Sequence, residues 1–598
     1  MLPGEGWPMN ISKRSIFIVI AIAILTSACG DSDDVPQTSN PAAVLDDRVV
    51  ESSASYVFTN GKVYTVNEKQ PWAEAVAVDG NKIVFVGSNT EARKYIGKKS
   101  KVINLKGKMM LPGFVEGHIH VVAGGVMANG LDLQTDDKEE IFARIREYVV
   151  ANDDEVILGY GVRFNPWDGD LPTAAMLDEI ESKRPMFFWA IDGHAAWVNS
   201  KALELAGVDK NTPDPVPGFS HYARDADGNP TGWLVELPTQ MQVLSKLVNI
   251  DREYTEQGVR NWMPRLSAAG ITSAHDLGVQ GMEQTEGYQI VADMAEKGKL
   301  PMRIQGVYYW NDPKVDPIPG LIKMRDKFSS DVVSVSHLKI NLDGGDEGWN
   351  GLYTFPYADK PEIVPDPIIP YDVLNNVVRR ADAAGIDVIC HCFGDLAVRK
   401  LLDAIEAAIK VNPRRQRHHA ISHATIVHPD DRQRFAELGV TYDTSGSWIA
   451  LDPVQLKISA VRLGLDRVNQ GYPIRQIADL GGNISLGSDW PASGYISEYR
   501  PLIAIQTAVT RQPIGAAPDS QIMGGKEWRL TVEQAVRANT LGAATGMGRN
   551  EQIGSLEVGK FADMIVLDQN LFEIDSYAIS NVKVLKTIMN GKLVHESS

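Results

Sequence analysis

Short apolar runs, each closed by a polar or ionisable residue, punctuate this chain from position 109 onward. Met109-Met110-Leu111-Pro112-Gly113-Phe114-Val115 leads into Glu116-Gly117-His118-Ile119-His120. Further runs cover 271–275, 303–308, 336–343, 387–391, 419–423, 440–443 and 483–489. Apolar segments this short, flanked by turn residues, read as strands buried on both faces, as in a parallel sheet. Helix-like stretches, such as 373–384 and 397–408, lie between them. Strands alternating with helices predict an α/β protein built on a (β/α)8 TIM barrel.

The strand ends carry the candidate chemistry. Side chains two apart on a strand share a face, so His118 and His120 point the same way. In the fourth run Leu338, Ile340 and Leu342 take one face, and His337, Lys339, Asn341 and Asp343 take the other. A barrel strand has this pattern where its inner face is a site, but an edge strand with one wet face reads the same way. The fifth, sixth and eighth runs end in His391, His423 and Asp489. All of these lie at the C-terminal ends of strands, where barrel enzymes build their sites. His275 faces inward by the same period, while His221, His337, His418, His419, His428 and His595 read as structural.

The first and second barrel strands are separated by far more than one helix, so 125–249 reads as an insert over the barrel mouth. Within it, His194 in Asp192-Gly193-His194-Ala195-Ala196-Trp197 is a candidate substrate contact, and capping of the following helix is the structural alternative. Trp167, Trp189, Trp197 and Trp233 are read as core, with an aromatic pocket as the alternative. Short alternating strands with turn signals at Asn60-Gly61, Asp79-Gly80 and Asn590-Gly591 occupy both chain ends.

Composition narrows the function. A 598-residue chain that is 44% hydrophobic can bury a large core, and a net charge of −17 argues against nucleic acid as a partner. Lys13-Arg14, an apolar run over 16–25 and Thr26-Ser27-Ala28-Cys29 read as a lipoprotein signal peptide (1–28), with Cys29 as the lipid anchor. An ordinary cleaved signal is the alternative. The polar, acidic stretch 29–55 reads as a tether, and together these place the protein in a bacterial cell envelope, facing the periplasm or exterior. The remaining cysteines, Cys390 and Cys392, flank His391, face away from it and read as small buried hydrophobes rather than a disulfide.

The motifs Pro112-Gly113-Phe114-Val115-Glu116-Gly117-His118-Ile119-His120, Lys339 with Asp343-Gly344, His391 with Gly394-Asp395, His423-Ala424, Gly487-Ser488-Asp489-Trp490-Pro491 and Gly554-Ser555-Leu556-Glu557-Val558-Gly559-Lys560 occur in this order. From about Tyr56 to the C-terminus the chain resembles the amidohydrolase superfamily, in its YtcJ-like branch. The resemblance implies one metal on His118, His120 and Asp489, a second on His391 and His423, and a carboxylated Lys339 bridging them. It implies two divalent ions, zinc being the expected metal, holding a hydroxide, with Asp489 as the catalytic proton shuttle. It also implies that 56–111 and 547–598 pair into one small β-sandwich beside a 112–546 barrel, two separate β-caps being the alternative. Two positions depart from the pattern: Glu116 stands where the family has Asp, and Ser422 where it has Glu.

The reading is therefore a metal-dependent hydrolase of a non-peptide carbon–nitrogen bond in a small-molecule substrate, of amide or N-acyl type. Hydrolysis of an ester, lactone or phosphoester on the same metals, or an inactive binding lipoprotein, are the alternatives, and assembly into a homo-oligomer stays open.

Overall fold

A computed structural model describes residues 53–597, apart from 168–169, 216–219, 280–281, 347 and 494–497. The signal reading, Cys29 and nearly all of the tether lie outside the described residues. Eight parallel strands follow one another around a ring: β1 (Phe114–Ile119), β2 (Ile271–Asp276), β3 (Arg303–Trp310), β4 (Val333–Asn341), β5 (Val388–Cys392), β6 (Ala420–His423), β7 (Thr441–Ser445) and β8 (Ile484–Gly487). The ring closes between β8 and β1, where Ser488 N and Asp489 N both donate to His118 O, at 3.1 and 2.7 Å. Lys339 on β4 is level with Tyr309 on β3 and Ile389 on β5, and Asn341 is level with His391.

Helices cover the outer face. Tyr371–Ala383 buries Leu374, Val377, Val378 and Ala381, and Asp395–Val411 buries Val398, Leu401, Leu402 and Ile405. These residues recur at three- and four-residue spacings, which gives each helix one apolar stripe to lay on the sheet. Cys390 and Cys392 are buried, free and part of the same core. No helix among the described residues is long and apolar enough to cross a membrane.

The run 109–115, continuous as a pattern, is two strands. Met109–Pro112 pairs with Lys62–Tyr64 and Met564–Leu567 outside the barrel, and β1 starts at Phe114. The break falls at Gly113, where a Cβ would lie 2.2 Å from Thr272 Oγ1; only glycine lets the chain pass so close to β2. N-terminal strands alone form a four-stranded sheet, and strands of both chain ends meet in a six-stranded one packed against it. Phe58, Val76, Val78, Ile83, Met110, Met564, Val566 and Ile588 form their shared core. Asn60-Gly61 does not make a hairpin. The strands on either side of it, Tyr56–Thr59 and Lys62–Tyr64, belong to different sheets, so the turn carries the chain from one layer to the other.

The stretch between β1 and β2 forms its own six-stranded sheet, spanning Leu131–Asp132 to Pro230–Val235. Trp167, Trp197 and Trp233 fill its core with Phe188 and Leu177, and Trp189 packs into the main core; all four tryptophans are buried. They serve packing.

Candidate metal centre

His118 is the penultimate residue of β1, and His120 follows it by one. Asp489 lies just past β8. His118 Nε2 and His120 Nε2 are each 3.2 Å from Asp489 Oδ1. Asp489 holds a left-handed backbone conformation, φ 59°, uncommon for a residue with a side chain though more accessible to Asp than to most. The seam holds it there: Asp489 N is tied to His118 O, and His120 N donates to Trp490 O at 2.9 Å. The backbone bonds that close the barrel therefore also fix the three side chains.

The outer nitrogens of the two imidazoles are occupied. His120 Nδ1 lies 3.1 Å from Gly278 O, which requires a proton on Nδ1 and leaves Nε2 as the nitrogen that faces Asp489. His118 Nδ1 lies 2.9 Å from Asp443 Oδ2. Asp443, on β7, also accepts Ser422 Oγ at 3.1 Å and Ser485 Oγ at 2.8 Å. A carboxylate behind a histidine is the usual device for fixing a ligand's tautomer and orientation.

His391 and His423 complete the arc. Their ring centroids are 4.3 Å apart, and His423 lies 4.9 Å from His118. Among the described residues, His391 Nε2 and His423 Nδ1 are buried without a hydrogen-bond partner. Trp448 stacks on His423 at 5.6 Å and Phe393 lies at 5.7 Å, giving the mouth an aromatic rim. Lys339 is only 3% exposed, and its Nζ has no ion-pair partner among the described residues. Burial pulls its ammonium pKa down, against the pull of Asp489.

The local field sorts these groups by charge. Burial, then the charge of Lys339, holds His391 neutral, with a pKa near about 3. Burial and then His391 push His423 well below the usual imidazole value. Burial opposes charge on His118, but Asp489 and Asp443 outweigh it and raise the pKa to about 9. Asp489 resists burial through His118 and His120 and stays well below the carboxylate range. Without a cation His118 carries a proton between two carboxylates, which a metal on Nε2 would displace; with neutral His391 and His423 and ionised Asp489 the donor set fits divalent cations such as zinc.

Three buried carboxylates brace the site, of which the sequence reading places Glu116 and Asp343 in its motifs and leaves Asp443 without a role. The only sequence signal of Asp443 is that it ends the seventh run as the ligand candidates end theirs. Glu116 accepts Ser488 N at 2.6 Å and His118 N at 3.4 Å, and burial lifts its pKa to about 8. Asp343 accepts Leu352 N, Phe393 N and Gly394 N, with its pKa raised by burial to about 7. The two departures from the family pattern, Glu116 and Ser422, thus brace the seam and Asp443.

The other histidines separate clearly. His194 lies in the insert, its side chain 69% exposed, with Nδ1 3.1 Å from Glu236 Oε2. It caps no helix: Asn199 caps Ser200–Ala206 through Ala202 N. His275 is buried 5.1 Å from His337, and its Nε2 has no hydrogen-bond partner among the described residues. His337 bonds Ser336 and His418 O, His418 bonds Thr545 O, and His428 caps Pro429–Leu438, all structural roles.

An eight-stranded barrel with imidazoles and a carboxylate gathered at its strand ends defines a metal-dependent hydrolase. The chain belongs to the amidohydrolase family, whose model matches residues 101–595. It is 30% identical to the Bacillus subtilis protein YtcJ over 91% of this chain and 99% of that one. It is 26% identical to the N-substituted formamide deformylase of Arthrobacter pascens, over 90% of this chain and 97% of the relative. An uncharacterised metal-dependent hydrolase from Pyrococcus horikoshii shares the fold, with a TM-score of 0.69 at 21% identity, covering 87% of this chain and 99% of that structure.

Proposed function

We propose that this metal-dependent carbon–nitrogen hydrolase cleaves an amide or N-acyl bond in a small molecule. The observation that carries the reading is the pair of orphaned buried nitrogens, His391 Nε2 and His423 Nδ1, beside the His118–His120–Asp489 cluster. His118, His120 and Asp489 would hold one divalent ion, and His391 and His423 a second. Lys339, its amine converted by carbon dioxide to a carbamate with loss of a proton, would lie between them. The ions would supply Lewis acidity towards a carbonyl and a water molecule.

The protein's own residues do the rest. Asp489 takes the proton released as water adds to the carbonyl and returns it to the departing nitrogen, so amide and water become acid and amine. Asp443 holds His118 in place throughout. The insert carries His194 beside Glu236, where it contributes to substrate binding rather than to bond breaking. The deformylase relative acts on N-substituted formamides, a bond of this type. An ester, lactone or phosphoester hydrolase on the same centre is the second reading, and a substrate panel separates the two.

Elemental analysis of the purified protein is expected to give close to two divalent ions per chain, with metal-dependent turnover on an amide panel. Reproducibly metal-free protein, with no activity gained on adding zinc, would reject the proposal.

A further inference from the structure

Tyr309 and Asn341 stand beside the metal centre on the side the mechanism leaves unused. Tyr309 is level with Lys339, and Asn341 is level with His391, so both belong to the inward-facing rows that carry the candidate ligands. Tyr309 also borders the support of His120, because a Cβ on Gly278 would lie 3.3 Å from Tyr309 Cβ. Tyr309 is held firmly, with its backbone N and O both bonded to the Gln284 side chain at 2.7 and 3.0 Å.

The two side chains meet with their hydrogen-bonding capacity incomplete. Asn341 Nδ2 donates to Tyr309 Oη at 3.1 Å, and Asn311 Nδ2 reaches the same oxygen at 3.5 Å. The phenol oxygen is thus used as an acceptor, and its proton has no acceptor among the described residues. Asn341 Oδ1 is buried and has no donor among the described residues. A buried carbonyl without a partner costs stability, and such groups persist where a ligand completes them. What remains on offer is one O–H donor and one C=O acceptor, both neutral.

We propose that Tyr309 and Asn341 read the substrate's nitrogen: Asn341 Oδ1 accepts an N–H adjoining the scissile carbonyl, and Tyr309 donates to an acceptor oxygen of the same molecule. The substrate class is then a secondary amide, in preference to a tertiary amide or an ester. This rests on the amide-hydrolase reading above. An N-methyl group or an ester oxygen places no donor against Asn341 Oδ1 and leaves it unpaired in the complex. A site built to bond an N–H discriminates in this way.

The test compares N-butylformamide, N-butyl-N-methylformamide and butyl formate on the zinc-loaded enzyme. The wild type is expected to favour N-butylformamide by about 10–100-fold in kcat/KM. Asn341→Leu is expected to lose that preference, with the N-methyl amide and ester changed by less than about threefold. Tyr309→Phe is expected to slow all three. A wild type indifferent to the N–H overturns the proposal whether or not the variants fold, as does an Asn341→Leu enzyme that keeps the preference. Saturation-transfer NMR separates this from the parent reading. If none of the three is hydrolysed but N-butylformamide binds the wild type and not Asn341→Leu, the nitrogen-reading pair stands and formamide hydrolysis does not. If it binds both equally, the pair falls.

Discussion

Asp489 combines a left-handed backbone, two imidazoles at 3.2 Å and a carboxylate held ionised against burial. Asp489→Asn keeps an oxygen for coordination but removes the proton acceptor. Steady-state kinetics are expected to show kcat lowered by about 10²–10⁴-fold with the fold and much of the metal retained. Asp443→Asn should act differently, because Asp443 touches His118 and not the substrate. Its expected effect is about 10–100-fold weaker metal binding, read by chelator competition. The candidate ligands were legible because each ends an apolar run. Asp443 ends one too, but its partner His118 is 325 positions away, and no local pattern joins an aspartate to a histidine at that range. Tyr309 and Asn341 escaped for a similar reason, since aromatic and amide side chains at strand ends are common and only a neighbouring strand shows what they lack.

Among the elements, the barrel strands were readable from their apolar runs to within a few residues, since burial on both faces leaves few other conformations. The split at Gly113 was not readable, because the apolar pattern continues through it and the steric demand comes from Thr272 on another strand. The joint between β5, β6 and their helices rests on one charge. Asp382, at the end of Tyr371–Ala383, accepts Arg417 Nε at 2.8 Å, Asn412 Nδ2 at 2.8 Å and Arg415 Nε at 3.0 Å, with His419 Nε2 at 3.5 Å. Burial opposes its charge, but His419, Arg417, Asn412 and Arg415 prevail and hold the carboxyl well below its ordinary pKa. A carboxyl depressed in the folded state stabilises above its unfolded pKa of about 4, and the contribution is lost as the pH falls through the folded value. Asp382→Ala is expected to cost about 1–3 kcal/mol at pH 7, since it removes charge-assisted hydrogen bonds while Arg415 keeps its pair with Asp387. In thermal unfolding its deficit should shrink below about pH 4; a deficit constant with pH would assign the loss to packing.

At the scale of the whole molecule, the charge of −17 says nothing about the site, whose field is set by a handful of buried groups. The envelope reading belongs to this scale too, and we propose lipidation at Cys29. Cys29→Ser is expected to move the protein from the membrane to the soluble fraction with turnover unchanged, checked by fractionation and mass analysis of the N-terminus. The β8–β1 seam sets an order of events. Ser488 and Glu116, bonded across it, are 372 positions apart, and loop closure over such a span comes late in folding. His118 and His120 are synthesised early, but Asp489 reaches them only when the eighth strand docks. A nascent or truncated chain therefore exposes two loose histidines without their carboxylate, and cannot hold an ion in the finished geometry. On the proposed reading, metal uptake would be a checkpoint on completed folding, and the cation would be acquired in whichever compartment the last strand docks.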